Sequence, residues 1–134
     1  MFTENELAYL NSQPLARIAT VSAGGQADCS ATGFEFDGEA FYMSGYADPR
    51  QSRRGKNVVA GNTKVSLVVD DLESIDPWKP RSIRIYGTAE FVEREGRFGH
   101  KHYMRISPTI SWSMSIEPTE IVNGRPTHHR TEHR

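Results

Sequence analysis

Short segments in which apolar and polar residues alternate recur along most of this 134-residue chain. In the clearest one, residues 82–92, the odd-numbered positions are mostly apolar and the even-numbered positions mostly polar. A period of two is typical of a β-strand with one buried face. Shorter segments of the same character predict further strands over residues 15–22, 27–36, 40–46, 64–70, 102–106 and 109–116.

Two short helices are predicted beside these strands. Near the N-terminus, Thr3 and Glu6 have the spacing of a capping box, and Phe2 and Leu7 that of a hydrophobic staple. This helix should end before Pro14. A second helix of about a dozen residues should begin at Asp48-Pro49, with an N-cap followed by proline at its first position, and close at Gly61.

Six or seven short strands joined by tight turns predict a mainly β fold, an antiparallel barrel that is closed or nearly closed. Turn residues occur at Gly24-Gly25 and Asp37-Gly38. One domain is expected over residues 1–117. Residues 118–134 are polar, show no periodicity and carry several His and Arg, so this tail is expected to be disordered.

Composition narrows the class of protein. The formal net charge of -1 argues against a nucleic-acid partner, because duplex-binding proteins usually carry a large basic surplus. A single cysteine, Cys29, forms no internal disulfide, and we expect it to be a small buried strand residue. No signal peptide and no apolar run of membrane-spanning length is evident, so a cytoplasmic location without membrane contact is expected.

The segment from Ser52 to Asn57, Ser-Arg-Arg-Gly-Lys-Asn, places three cations within four residues. Like charges at this spacing repel one another unless an anion balances them. They would lie in the first turns of the predicted second helix, where the backbone also favours negative charge. The segment therefore indicates a site for a small phosphorylated ligand; a solvated basic helix face is the alternative.

Seven sequence motifs follow one another along the chain. The motifs are Leu15–Val21, Ala31–Phe34, the basic segment, Val65–Asp71, Asp76–Arg81, Ile85–Glu90 and Ile110–Trp112. Together they resemble the split β-barrel flavin-binding superfamily of pyridoxamine 5'-phosphate oxidase, and in particular its small branch that uses the deazaflavin coenzyme F-420. The C-terminal Arg-Leu-containing substrate motif of the oxidases themselves is missing, so that activity is not expected.

The resemblance implies a homodimer with its cofactor in a groove between the subunits. It assigns the cofactor phosphates to Arg53, Arg54 and Lys56, with Ser52 and Asn57 as nearby hydrogen-bond donors. A second set of residues would line the ring system, and Arg81 is a candidate second contact to a phosphate or to the cofactor tail. The lining set comprises Ser30, Gly33, Met43, Ser44 and Gly45.

The implied activity is hydride transfer to an electron-poor double bond, with coenzyme F-420 as cofactor. No Ser-His-Asp or Cys-His pattern competes with it, as expected where a cofactor carries the chemistry. The catalytic residues remain unassigned; Tyr46, Arg81 and Trp112 are candidate donors to a substrate carbonyl. Two alternatives stay open: an FMN-dependent oxidase or flavin reductase, and a non-catalytic cofactor carrier.

Several other features favour structural interpretations. Trp78 lies among prolines and is expected to anchor its loop through a buried indole, and Trp112 to pack in the core or at a dimer interface. The acidic residues between Asp70 and Asp76 lack the spacing of a hard-cation loop. The histidines near His100 and in the tail are expected to be incidental, so no metal site is predicted.

Overall fold

The computed structural model describes residues 1–45 and 47–134. Its helices are α1 (Glu4–Ser12) and α2 (Arg53–Val59), with a 3-10 turn at Pro49–Gln51. Its strands are β1 (Leu15–Val21), β2 (Ala27–Gly33), β3 (Glu35–Phe36), β4 (Phe41–Met43), β5 (Lys64–Ser74), β6 (Lys79–Gly96), β7 (Gly99–Met114), β8 (Ile121–Val122), β9 (Arg125–Pro126) and β10 (His129–Glu132).

Helix α1 begins and ends as the sequence predicts. The Thr3 hydroxyl accepts a hydrogen bond from the Glu6 backbone N–H at 3.1 Å, and the Glu6 carboxylate accepts one from the Thr3 N–H at 3.0 Å. This pair is a complete capping box. Phe2 and Leu7 join the same hydrophobic cluster, which is the contact that the staple requires.

The main sheet is antiparallel, with the strand order β2-β1-β5-β6-β7-β4-β3. Its first and last strands, β2 and β3, are separated along the chain by Phe34 alone. Since one residue spans only about 3.5 Å, the two ends of the sheet must come together. Among the described residues no hydrogen-bonded ladder joins β2 to β3, so the sheet forms a split barrel, which confirms the predicted fold class.

The barrel interior is filled by alternate side chains of these strands. In β6 the apolar positions predicted to share one face are the inward ones, and Ile83 and Ile85 are fully buried. Ile18 of β1, Leu67 of β5 and Ile106 of β7 meet them in one cluster. A register slip of one residue would turn each set outward, so this burial fixes the register.

Some strand boundaries differ from the prediction. The irregular loop expected over residues 71–80 is the end of a long hairpin, in which β5 continues to Ser74 and β6 starts at Lys79. The two strands predicted over 102–116 form one strand, β7. Its register shifts opposite Tyr86 and Gly87, and this bulge accommodates Pro108, which has no N–H for the ladder.

The predicted second helix is broken at Ser52. Asp48 caps the 3-10 turn, accepting a hydrogen bond from the Arg50 N–H at 3.0 Å. Ser52 then serves as the N-cap of a separate seven-residue helix, α2. Gly61 follows the end of α2 with a φ of 109°, a backbone conformation that glycine adopts without strain. The predicted closure at Gly61 is therefore confirmed.

The C-terminal segment is ordered, contrary to the predicted disorder. β8 and β9 form a hairpin, and β10 extends the main sheet by pairing with residues 110–113 of β7. His133 contacts the Ser111 hydroxyl at 2.8 Å, and its ring centroid lies 4.3 Å from that of Phe2. Burial lowers the pKa of His133. Residues 129–133 therefore pack against the barrel sheet.

Two side chains expected to be buried are exposed. Trp78 is 66% exposed, because it lies in the turn between β5 and β6 beyond the barrel. Cys29 is exposed, because it pairs with Ala19 on the outward-facing side of β2 and β1. No helix among the residues that the structure describes is long and apolar enough to cross a membrane.

Candidate functional site

The side chain of Arg54, a residue of α2, reaches across to β2. One guanidinium nitrogen donates to the Ser30 hydroxyl and the other to the Thr32 hydroxyl, each at 3.2 Å. The helix is held in this position by buried Asn57, whose side-chain amide donates to the Thr20 hydroxyl of β1 at 2.9 Å. A basic helix and a hydroxyl-bearing strand are thus brought together.

The charge of Arg54 is not balanced by a carboxylate. Burial lowers its pKa, and the charge of Asp28 opposes that shift only in part. Among the residues that the structure describes, no carboxylate oxygen lies within 4.0 Å of its guanidinium. The two hydroxyls accept from two of the five N–H groups, so donors remain for an anion.

The other predicted phosphate ligands differ in their availability. Arg53 and Lys56 are exposed and stand three residues apart on α2, so they share a face. The Ser52 hydroxyl is already engaged, accepting from the Gly55 N–H at 3.0 Å and donating to the Pro49 carbonyl at 2.7 Å. Arg53, Arg54 and Lys56 are the cations of this seven-residue helix.

The residues predicted to line a ring system are divided between two places. Ser30 contacts Arg54. Gly33, Met43 and Ser44 meet around a cavity of about 10 Å³, which has room for about one water molecule and none for a ring. The Met43 side chain is 2% exposed and belongs to the core. The Gly45 carbonyl accepts a hydrogen bond from the Lys101 ammonium.

Arg81 is engaged elsewhere. Its guanidinium donates twice to Asp71, at 3.0 and 2.6 Å, and lies 5.1 Å from the centre of the Tyr9 ring. Hydrogen bonding to Arg81 is the main reason that the pKa of Asp71 is lowered. This arrangement ties α1 to the β5–β6 hairpin and occupies two of the five N–H groups of Arg81.

The outward face of the sheet contains a second candidate surface. Strand register places one row of side chains across it: Ala31, Arg17, Val68, Arg84 and Trp112. The Arg84 guanidinium lies 4.5 Å from the centre of the Trp112 ring, and the Tyr86 ring meets Trp112 edge-on at 4.9 Å. Trp112 therefore packs on the outside of the barrel. Tyr46, the other predicted carbonyl donor, lies outside the described residues.

Two grooves open on this face. The first groove, of about 460 Å³, is lined mainly by small and apolar groups, with Lys64 its cation; its walls include Ala19, Val21, Ala27 and Tyr86. The second groove, of about 590 Å³, includes Arg17, Val68, Asp70, Trp78, Arg81 and Met114. Both are within the size range of small-molecule sites.

Thr32 and Arg17 are candidate site residues that the sequence reasoning missed. Thr32 lies two positions after Ser30 on the same face of β2, so its proximity to Arg54 follows once Ser30 is assigned. Arg17 stands between Ala16 and Ile18, which are both buried. An isolated cation in an apolar strand is the signal that would have identified it.

Replacing Gly55 with alanine is expected to destabilise the domain by about 2 kcal/mol, in the range for overpacking. A Cβ at Gly55 would lie only 1.9 Å from the Pro49 carbonyl oxygen, so the 3-10 turn and α2 would have to separate. Chemical denaturation measures the free energy of unfolding of Gly55→Ala and of the control variant Gly45→Ala. Position 45 has no atom within 4 Å of the added Cβ, so equal stability of the two variants would contradict the expectation.

Comparison with known proteins places these features in context. Residues 2–129 match the family described as pyridoxamine 5'-phosphate oxidase. A curated relative from Streptomyces rimosus subsp. rimosus is 34% identical over 132 residues, covering 92% of each chain. Its name is 5a,11a-dehydrotetracycline/5a,11a-dehydrooxytetracycline reductase.

Solved structures share the fold. One described as an F420 reductase superposes with a TM-score of 0.57 at 18% identity, covering 74% of this chain and 90% of that one. A heme binding protein from Mycobacterium smegmatis gives a TM-score of 0.69 at 16% identity. That match covers 98% of this chain but only 59% of the other, longer protein. At these identities the superpositions establish the barrel and leave the ligand open.

Proposed function

We propose that this chain, which belongs to the pyridoxamine 5'-phosphate oxidase family, is a reductase that uses the deazaflavin coenzyme F-420 to reduce an electron-poor carbon–carbon double bond. The observation that carries the proposal is Arg54, a partly buried guanidinium that contacts two hydroxyls of β2 and no carboxylate among the described residues. Its spare donors suit a phosphate. The family membership and the reductase relative support an oxidoreductase.

The donor set fits the anionic end of such a cofactor. A guanidinium with two of its donors fixed on Ser30 and Thr32 is already oriented, and its remaining N–H groups can bind phosphate oxygens side by side. Arg53 and Lys56, exposed on the same helix, add charge that attracts the phosphate. We therefore assign the phosphate to Arg54, with Arg53 and Lys56 beside it.

Bound coenzyme F-420 would supply the hydride. The residues of this chain then have only to bind the cofactor, orient it and shield it from water. Ser30 and Thr32 lie on the face of β2 opposite to Ala31, so a cofactor held at Arg54 would reach the outward face around the edge of β2, the terminal strand of the sheet. A ring held by its phosphate end at Arg54 could therefore extend over small side chains rather than into the filled core. The low polarity of the first groove would exclude water from that surface.

A flat polycyclic ketone is the substrate class that we favour. The curated relative is named for dehydrotetracyclines, which are fused-ring compounds with conjugated carbonyl groups. The outward face of this chain offers broad grooves rather than a narrow pocket, as such a substrate requires. The FMN-dependent reaction is the alternative, because the same cations would suit its phosphate equally well.

We also propose that a second copy of the chain covers part of the outward face. Leu15, Val21 and Tyr86 are between 39% and 46% exposed there, and they add apolar surface to this face. A homodimer would bury these groups and enclose the cofactor. The cytoplasmic location expected from the sequence stays a prediction.

Parallel titrations of the cofactor-free protein with coenzyme F-420 and with FMN test the proposal. Each ligand is followed by its own fluorescence, and tighter binding of F-420 is the expected result. Tighter binding of FMN, or a yellow protein after purification, would replace the proposal by the FMN alternative. Binding of neither would refute a cofactor site at Arg54.

A further inference from the structure

The second groove has the surface of a site for a flat organic molecule. Val68, Leu72, Pro80 and Met114 supply apolar contact, and Trp78 stands at its side with most of the indole exposed. An exposed indole beside an apolar floor can stack on a planar ring system. The volume of about 590 Å³ is sufficient for several fused rings.

The two arginines of this groove are held very differently. Arg81 is fixed by two short hydrogen bonds to Asp71 and by the ring of Tyr9. Within residues 1–45 and 47–134, Arg17 has only a long ion pair, with its Nε 3.6 Å from Asp70 Oδ1, and its side chain is 40% exposed. That distance exceeds a hydrogen bond, so the guanidinium keeps its full set of N–H donors for a ligand.

We propose that the second groove is the acceptor-substrate site, and that Arg17 selects flat polycyclic acceptors that carry an acidic hydroxyl or enol oxygen. The identification of the ligand as the hydride acceptor rests on the function proposed above. Arg17 pairs with Ala31 in the strand register on the outward face, whereas Ser30 and Thr32, which Arg54 contacts, lie on the opposite face of β2. A cofactor held at Arg54 would therefore reach the groove by passing around the outer edge of β2, the terminal strand of the sheet. A guanidinium binds an ionised oxygen more strongly than a neutral carbonyl, which is the basis of the selection.

The first groove does not offer this chemistry. Its cation, Lys64, is exposed at the end of β5, and the rest of its lining is small or hydroxyl-bearing. Arg84 lies in the same row as Arg17 and is stacked on Trp112, but it does not line the second groove. Arg84 therefore provides a matched control, with the same charge on the same face.

Binding of two dyes to the cofactor-free protein tests the assignment. The probes are 1,2-dihydroxyanthraquinone, which carries acidic hydroxyls, and anthraquinone, which has the same rings without them; both are followed by quenching of tryptophan fluorescence. For Arg17→Gln we expect about ten-fold weaker binding of the dihydroxy compound, the lower range for a charge-assisted hydrogen bond. Binding of anthraquinone should stay within about two-fold, because its ring contacts are unchanged.

Arg84→Gln should bind both dyes as the natural chain does. The proposal is overturned if Arg17→Gln binds the dihydroxy compound normally, if it loses both dyes equally, or if Arg84→Gln shows the same selective loss. Affinity of Arg17→Gln for coenzyme F-420 should be unchanged. If the natural chain binds no cofactor, the proposed function fails while the dye measurements still report on the groove.

Discussion

A chain that ends at Glu117 is expected to be less stable than the full chain by about 3 kcal/mol, comparable to losing several buried contacts at once. The truncation removes β10, which pairs with β7 over residues 110–113. The opposite edge of β7 is paired with β6, and β4 covers the edge that β10 uses only over residues 104–106, so residues 110–113 would become an open sheet edge. Unpaired edges of this kind also promote association with other chains.

Contacts with the N-terminus would be lost at the same time. His133 covers the ring of Phe2, which is itself 5% exposed and part of the core. His129 lies 3.3 Å from the carboxylate of Glu6, a fully buried acid. Without this partner the Glu6 carboxylate retains, among the described residues, only the hydrogen bond from the Thr3 N–H, and burial of an acid with fewer partners is costly.

Urea denaturation of the two chains at equal concentration measures the effect. Ile121→Ser is the matched control within the same segment, because Ile121 is 68% exposed in the β8–β9 hairpin. It should change the free energy of unfolding by less than about 0.5 kcal/mol. A truncated chain as stable as the full one would show that the tail contributes nothing to the fold.

The parts of the fold that the sequence predicts well depend on neighbouring residues. The capping box of α1 needs only Thr3 and Glu6, which are three residues apart. The alternation in β6 likewise shows within a single segment which side chains face inward. Local rules therefore sufficed for the first helix, for the tight turns and for the alternation that indicated a barrel.

The parts that the sequence does not predict depend on distant contacts. β10 is polar and would be unstable alone; it becomes a strand because β7 offers free backbone partners. At the break at Ser52, α2 packs so closely on the 3-10 turn that a Cβ at position 55 would lie 1.9 Å from the Pro49 carbonyl oxygen. The pairing of β10 with β7 cannot be seen in a short window of sequence, and hydrophobic periodicity does not reveal the close packing at position 55.

The candidate site likewise has features that the sequence predicts and features that depend on distant contacts. The basic segment was evident as a cluster of charge, and the resemblance assigned it to phosphate. Which cation contacts the barrel was not evident, since Arg54 meets Ser30 and Thr32 across 24 and 22 residues. Arg17 was overlooked because its importance depends on the groove formed by β5, β6 and β7 around it.

Replacing Arg54 with alanine is expected to weaken binding of coenzyme F-420 by about 30-fold, which corresponds to about 2 kcal/mol for a charge-assisted contact. Arg53→Ala and Lys56→Ala should each cost less, about three-fold, because both side chains are exposed and solvent screens their charges. The triple alanine variant should lose more than about 100-fold. Fluorescence titration at fixed salt gives all four affinities.

Arg50→Ala is the matched control for these variants. Arg50 belongs to the same basic stretch, but its guanidinium is paired with Asp48 at 2.6 Å and so has less charge to offer a ligand. It should alter cofactor affinity by less than about two-fold.

Stability should be nearly unchanged in Arg54→Ala, because a charge that burial disfavours is removed and the Thr32 hydroxyl keeps its hydrogen bond to the Gly33 carbonyl. If Arg54→Ala binds the cofactor as the natural chain does, the phosphate lies elsewhere, because no weaker contact could replace a guanidinium already fixed on the strand.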